Sequence, residues 1–201
     1  MSIVKLNNRA VKDATAVGSI TGLGNLVFIS RSTASSSASL SITSGIDSTY
    51  KEYIFYFNNI HPSANSDFAF NMSVDGGSNY NVTKTTTNFY AYHQESGSDA
   101  GLSYNTTIDL AQGTGYQVLG NVEADSDTSC SGYLHLFEPS STTFTKHFIS
   151  RVNVVYPATT DYTSDYYIAG YGNTTSAIDA IDFKMASGNI DSGTIDMYGV
   201  K

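Results

Sequence analysis

Eight consecutive residues, Asp67-Phe-Ala-Phe-Asn-Met-Ser-Val74, constrain the fold of this chain more than any other stretch. Phe68, Phe70, Met72 and Val74 alternate with small or polar neighbours, and a period of two places all four on one face of a β-strand. The same alternation, or a short β-branched and aromatic run, recurs at 26–30, 39–43, 88–93, 102–110, 115–122, 132–138, 146–156, 166–172, 180–186 and 193–199. Residues 50–59 are apolar on both faces, as in a strand at the centre of a two-sheet sandwich, and His61-Pro62 is expected to end it, because proline cannot donate to a ladder. Asp75-Gly-Gly-Ser-Asn79 reads as a turn with positive-φ glycines. Residues 183–200 read as two strands folded back over a Gly/Asn/Asp turn, a closing hairpin that completes a sheet. No stretch offers an amphipathic helix of three turns, and 176–181 could supply one turn at most. No fixed period repeats, which excludes propellers and β-helices. The expectation is an all-β chain: a jelly-roll-like antiparallel β-sandwich over 26–201, preceded by an extended N-terminal arm over 1–25.

Composition sharpens this reading at one point. Serine and threonine make up about a quarter of the chain, a bias shared with disordered segments. Fifteen tyrosines and ten phenylalanines argue for order, since that much aromatic surface offsets the entropy of folding. Net charge is −8, but the first thirty residues carry Lys5, Arg9 and Lys12 against Asp13 alone, about +2, leaving about −10 for the rest. An acidic body is a poor partner for nucleic acid or an anionic membrane. A basic, glycine-punctuated arm reads as a docking segment, with Lys5, Arg9 and Lys12 as its contacts. No signal peptide or apolar run of membrane-spanning length is expected, and a single cysteine, Cys130, allows no intrachain disulfide.

Residues that could carry chemistry are few. His61, His135 and His147 fall at strand ends or polar strand positions. His93 and Glu95 have a metal-binding spacing but lack a third ligand nearby. Glu123-Ala-Asp-Ser-Asp127 places oxygens at alternate positions, without the glycine and closing glutamate of a calcium loop. Gly113-Thr-Gly115 precedes no helix and so cradles no phosphate. No nucleophile with a base, and no facing pair of carboxylates, stands out, so the chain reads as a non-enzyme without cofactor or metal. Tyrosines are better candidates for binding. Tyr90, Tyr92 and Tyr104 border the 94–101 loop, while Tyr162, Tyr166, Tyr167 and Tyr171 border another, and the tyrosine ring can stack on a sugar while its hydroxyl bonds one. Tyr90, Tyr92, Tyr104, Tyr167 and Tyr171 are the expected glycan-binding set, with rim packing and subunit contacts as the competing use of the same rings.

Several segments, in order, also resemble one family. They are Ile46-Asp-Ser-Thr-Tyr-Lys-Glu-Tyr53, Asn58-Asn-Ile-His-Pro62, Val74-Asp-Gly-Gly-Ser-Asn-Tyr80, Asp109-Leu-Ala-Gln-Gly-Thr-Gly115, Gly172-Asn-Thr-Thr-Ser-Ala-Ile178 and Ser187-Gly-Asn-Ile-Asp-Ser-Gly-Thr-Ile195. Together, over about 26–200, they resemble virion proteins of tailed phages, frequent among phages of marine bacteria and cyanobacteria and labelled as tail fibres or structural proteins. The resemblance implies a jelly-roll module, a homotrimer, mounted on the tail or capsid surface of a virion assembled in the host cytoplasm. It carries over no catalytic residue and no assigned ligand position. No coiled-coil stalk precedes the body, which points to a short tail fibre or appendage, or to an architectural capsid decoration, head fibre or collar protein. A host cell-surface polysaccharide is the expected external partner.

Overall fold

Pairing follows alternation along almost the whole described chain. The computed structural model describes residues 25–158 and 161–201. Twelve strands run in order: β1 (Leu26–Thr33), β2 (Leu40–Ile42), β3 (Glu52–Pro62), β4 (Ser66–Ser73), β5 (Lys84–Gln94), β6 (Ala100–Tyr104), β7 (Gln117–Val122), β8 (Cys130–Phe137), β9 (Lys146–Tyr156), β10 (Tyr162–Gly172), β11 (Ala180–Met185) and β12 (Ile190–Val200). An eight-stranded sheet, β1-β12-β3-β8-β9-β10-β5-β6, packs on a four-stranded sheet, β2-β11-β4-β7. The pairs β1·β12, β2·β11, β3·β8 and β4·β7 are all antiparallel and nest one inside another. That nesting, with successive strands alternating between layers, is the jelly-roll winding. Two insertions, β5–β6 and β9–β10, extend the larger sheet past β8, with β5 pairing β10 along its whole length. The arm expected over 1–25, with Lys5, Arg9 and Lys12, lies outside the described residues except for Asn25.

The core fills the space between the smaller sheet and the β12, β3, β8 and β9 part of the larger one. Phe55 and Phe57 from β3 meet Phe183 of β11 at ring-centroid distances of 5.7 and 5.3 Å. Phe68 lies 5.2 Å from Phe57, and Phe70 lies 5.0 Å from Phe148. These rings are fully buried or nearly so, and their edge-on packing adds to the apolar area removed from water. β3 is central, as its two-sided apolarity implies: Tyr53, Phe55 and Phe57 point into the core, while Ile54 and Tyr56 are half-buried on the outer face.

The closing hairpin expected over 183–200 is not one. β11 pairs β2 and β4 in the smaller sheet, whereas β12 pairs β1 and β3 in the larger one. The residues between them cross from one layer to the other, with Gly188 at φ 74°. This crossing is tied to the one that joins β3 to β4. Asn189 N donates to Ser63 Oγ, Ser63 N to the Asn189 carbonyl, and Ser187 N to Ser66 Oγ. Apolar residues on the two strands therefore face each other across the core instead of lining one face.

Smaller differences have local causes. β3 runs through His61 to Pro62, which occupies its last position, and the irregularity falls earlier, at a bulge where Asn59 has φ 49°. Val74 lies outside the Phe68, Phe70 and Met72 row and is exposed, because β4 stops at Ser73. The Asp75 carboxylate there accepts from Asn79 and Ser73, bonds that hold its pKa down at about 2. Of the strand expected over 102–110, only the part within β6 forms. Residues beyond it bond to β5 irregularly instead, Thr86 N to the Leu110 carbonyl and Lys84 with Gly113.

Candidate functional site

The four-strand extension has two unlike faces. On the outer face one row of cross-strand partners spans the whole larger sheet: Arg31, Asp196, Tyr56, Tyr133, Arg151, Tyr167, Phe89 and Tyr104. Arg31 is bidentate to Asp196 at 2.6 Å, and Arg151 holds Asp165 at 2.7 Å. Phe89 stacks on Tyr167 at 4.8 Å with the planes 5° apart, and the Arg151 guanidinium lies 4.9 Å from the same ring. Tyr167 thus has Phe89 on one side and Arg151 on the other. Rings packed this way act as cross-strand stabilisers.

The inner face is open at one end. Near Lys84, Thr86 and Asn88 it is covered by residues 105–116 and the start of β7: Thr86 Oγ1 donates to Gln117 Oε1 at 2.6 Å, and Asn88 Nδ2 to the Asn105 carbonyl at 2.8 Å. Beyond Asn88 this cover thins, with Asn105 at its near end and Asp67 and Asn121 of the smaller sheet bordering Tyr166 from one side. A cleft of about 250 Å³ opens there, walled by Tyr90 and Tyr92 of β5, Tyr156 of β9, and Tyr162 and Tyr166 of β10, with Ser164 in its floor and Asp99 and Asn105 at its rim. Tyr90 stacks on Tyr166 at 5.1 Å, and Tyr92 meets Tyr162 edge-on at 5.8 Å. A second hollow of about 170 Å³ shares Asn105, Tyr156 and Tyr166 and continues to Asp67, Thr107 and Asn121.

Local structure explains why the rings sit there. A Cβ on Gly101 of β6 would stand 2.8 Å from Tyr92 Oη, so the glycine lets that ring lie across the edge strand. A Cβ on Gly120 would reach within 3.4 Å of the Tyr166 ring. Tyr162 donates to Asp99 Oδ2 at 3.1 Å, and Asn121 Nδ2 to Asp67 Oδ1 at 2.7 Å. Burial pushes the Tyr166 hydroxyl well above its usual pKa, so it stays a neutral donor. Among the described residues the Tyr90, Tyr92 and Tyr156 hydroxyls make no hydrogen bond within the chain. Ring faces beside unused hydroxyls, an amide and carboxylates form a donor and acceptor set suited to a polyhydroxylated ligand.

The expected set therefore divides. Tyr90 and Tyr92 line the cleft. Tyr104, Tyr167 and Tyr171 lie on the opposite face: Tyr104 donates to Asp109 at 2.8 Å, and Tyr171 sits 6.1 Å from His147. Tyr156, Ser164, Asp99 and Asn105 complete the cleft and were not singled out. Parity was the available signal for β10: Ile168 is a core residue, so even-numbered positions face inward, which brings in Tyr162, Ser164 and Tyr166 and sends Tyr167 and Tyr171 outward.

Other candidates resolve into structural roles. His135 pairs with Glu52 at 2.9 Å and stacks on Phe137, and His61 Nδ1 lies 2.8 Å from the Thr128 carbonyl. His93 is on the outer face, across the sheet from the cleft. Glu123 is only 7% exposed, and burial together with the charges of Asp161, Asp125 and Asp127 raises its pKa. No group of three or more His, Cys, Asp or Glu among the described residues is placed to hold a metal ion. Cys130 is buried in the core, where its thiol is pushed far above the usual range. Comparisons with protein-family models, with curated proteins and with solved structures find no match for this chain.

Proposed function

We propose that the chain is a virion structural protein of a tailed phage, a short tail fibre or appendage whose N-terminal arm docks on the particle and whose sandwich recognises a host cell-surface glycan. The observation that carries the binding half is the tyrosine-walled cleft at the open end of the inner face, where ring faces and free hydroxyls converge in a space of about 250 Å³. Ordered segment similarity to tailed-phage virion proteins and the basic arm with Lys5, Arg9 and Lys12 support the attachment half. The role is one of binding, without catalysis, cofactor, nucleic acid or membrane insertion.

The purified protein is expected to be retained by host envelope polysaccharide in affinity electrophoresis, and Tyr92→Ala to lose most of that retention, on the scale of about 1–3 kcal/mol by which one aromatic ring stacks on a nucleobase. Retention unchanged in Tyr92→Ala and in Tyr166→Ala would remove the cleft as the site.

The architectural alternative, a capsid decoration, head fibre or collar protein, is favoured by a different observation. Among the described residues β1 and β6 are the two edge strands of the larger sheet, and both carry exposed apolar residues: Phe28 on one, and Leu102, at 71% exposure, on the other. Such edges suit packing between subunits, as in a homotrimer. Particles lacking the protein would then adsorb to host cells at the normal rate.

A further inference from the structure

Charge around the cleft bears on which saccharides it takes, granted the reading of the cleft as a glycan site. Carboxylates stand on both sides of it, Asp99 at the rim and Asp67 in the adjoining hollow. No lysine or arginine of the described residues lines either space. Arg31 and Arg151 are engaged with Asp196 and Asp165 on the outer face, and Lys84 and Lys146 are buried at the far end of β5 and β9. An acidic sugar entering the cleft would lose water without gaining a cation, beside carboxylates that repel it. Asp99 has one oxygen engaged with Tyr162 and is exposed, so it can accept a hydrogen bond from a ligand ammonium.

We infer that the cleft selects saccharides by charge, holding sugars with a free amino group most tightly and uncharged ones next, and excluding uronates, sialate-like acids and phosphorylated sugars. This ranking rests on the proposed glycan reading and adds to it the chemical class of the ligand.

The test uses the full chain and matched oligosaccharides of equal length in three charge forms, neutral, amino and uronate, each built on gluco, galacto and manno backbones. Titration at low ionic strength is expected to give the amino form about two- to five-fold tighter binding than the neutral form of the same backbone, the range for one exposed ion pair. The uronate form shows no binding. The ratio falls toward one in about 0.5 M salt, where the screening length is only a few ångströms. Asp99→Asn brings the ratio close to one, whereas Glu138→Gln, which removes a carboxylate paired with Lys51 outside the cleft, leaves it in place. Uronate binding as tight as neutral binding, or an amino-to-neutral ratio insensitive to Asp99→Asn, overturns the charge selection while the glycan reading stands. Absence of binding in all three forms on every backbone overturns the glycan reading itself.

Discussion

Lys84 and Lys146 flank Gly172 in one cross-strand row on the inner face, both fully buried, and neither pairs with a carboxylate among the described residues. Lys146 donates to the carbonyls of Ser141 at 2.6 Å and Phe144 at 2.7 Å. Lys84 donates to Asn71 Oδ1 and, at 2.7 Å, to the Val82 carbonyl. With dipoles alone to replace water, burial lowers the Lys84 pKa to about 7. The folded state then binds fewer protons than the unfolded chain from about pH 7 up to the normal lysine value of 10.5, so stability rises with pH across that window and is lowest below it. Urea titrations of the wild type and of Lys84→Met should differ in this window: the variant loses a slope worth a few kcal/mol in all. Its Asn71 oxygen still accepts from Met72 N at 2.9 Å, while the Val82 carbonyl loses its Lys84 donor, a loss that lowers stability equally at every pH and leaves the comparison of slopes intact. Equal slopes in the two proteins would show that Lys84 keeps its charge by relaxation of its surroundings.

At the scale of the element, bulges decide what alternation alone does not. Gly193 interrupts the β12 register with φ 113°, and a Cβ there would meet the Asn59 carbonyl at 2.5 Å. Gly193→Ala is therefore expected to cost about 1–3 kcal/mol, read as a lower thermal midpoint, although no side chain is lost. Gly132 is tighter still, since its Cβ would lie 2.2 Å from the Arg151 carbonyl of β9, and Gly132→Ala should part β8 from β9 and destabilise the body more. Strand existence was legible in the chain because Phe68, Phe70 and Met72, or Ile195 and Met197, keep a period of two whatever they pair with. Partner choice was not. A layer crossing at 186–189 and a hairpin turn share the same small, positive-φ residues, and only the packing of Phe183 on Phe55 and Phe57 distinguishes them. The cleft was half legible for the same reason: Tyr90 and Tyr92 share a strand face with each other, but their neighbours arrive from β9, β10 and the 94–105 stretch through pairings that leave no local mark.

At the scale of the whole molecule, the described strands close on themselves, with β12 wedged between β1 and β3 and the Lys201 N–H bonded to the Asn25 carbonyl. A chain lacking residues 1–20 is expected to unfold at the same temperature as the full chain while failing to enter particles. Normal incorporation of the truncated chain would end the docking-arm proposal. Light scattering of the same truncated body should report three copies, and a monomer at micromolar concentration would count against the trimer.

Nested pairing also sets an order of events at the ribosome. β4 and β7 are the innermost pair, and β1 and β12 the outermost, so the first strand made is the last to find its partner. Arg31 meets Asp196 across 165 residues, a gap that translation takes on the order of ten seconds to fill. During that interval Leu26 and Phe28 have no sheet to join, and the slot between β1 and β3 stands empty. A nascent chain stalled before Ile190 should stay open to protease along β1 and β3, and one extended past Val200 by a tether long enough to clear the exit tunnel should be protected.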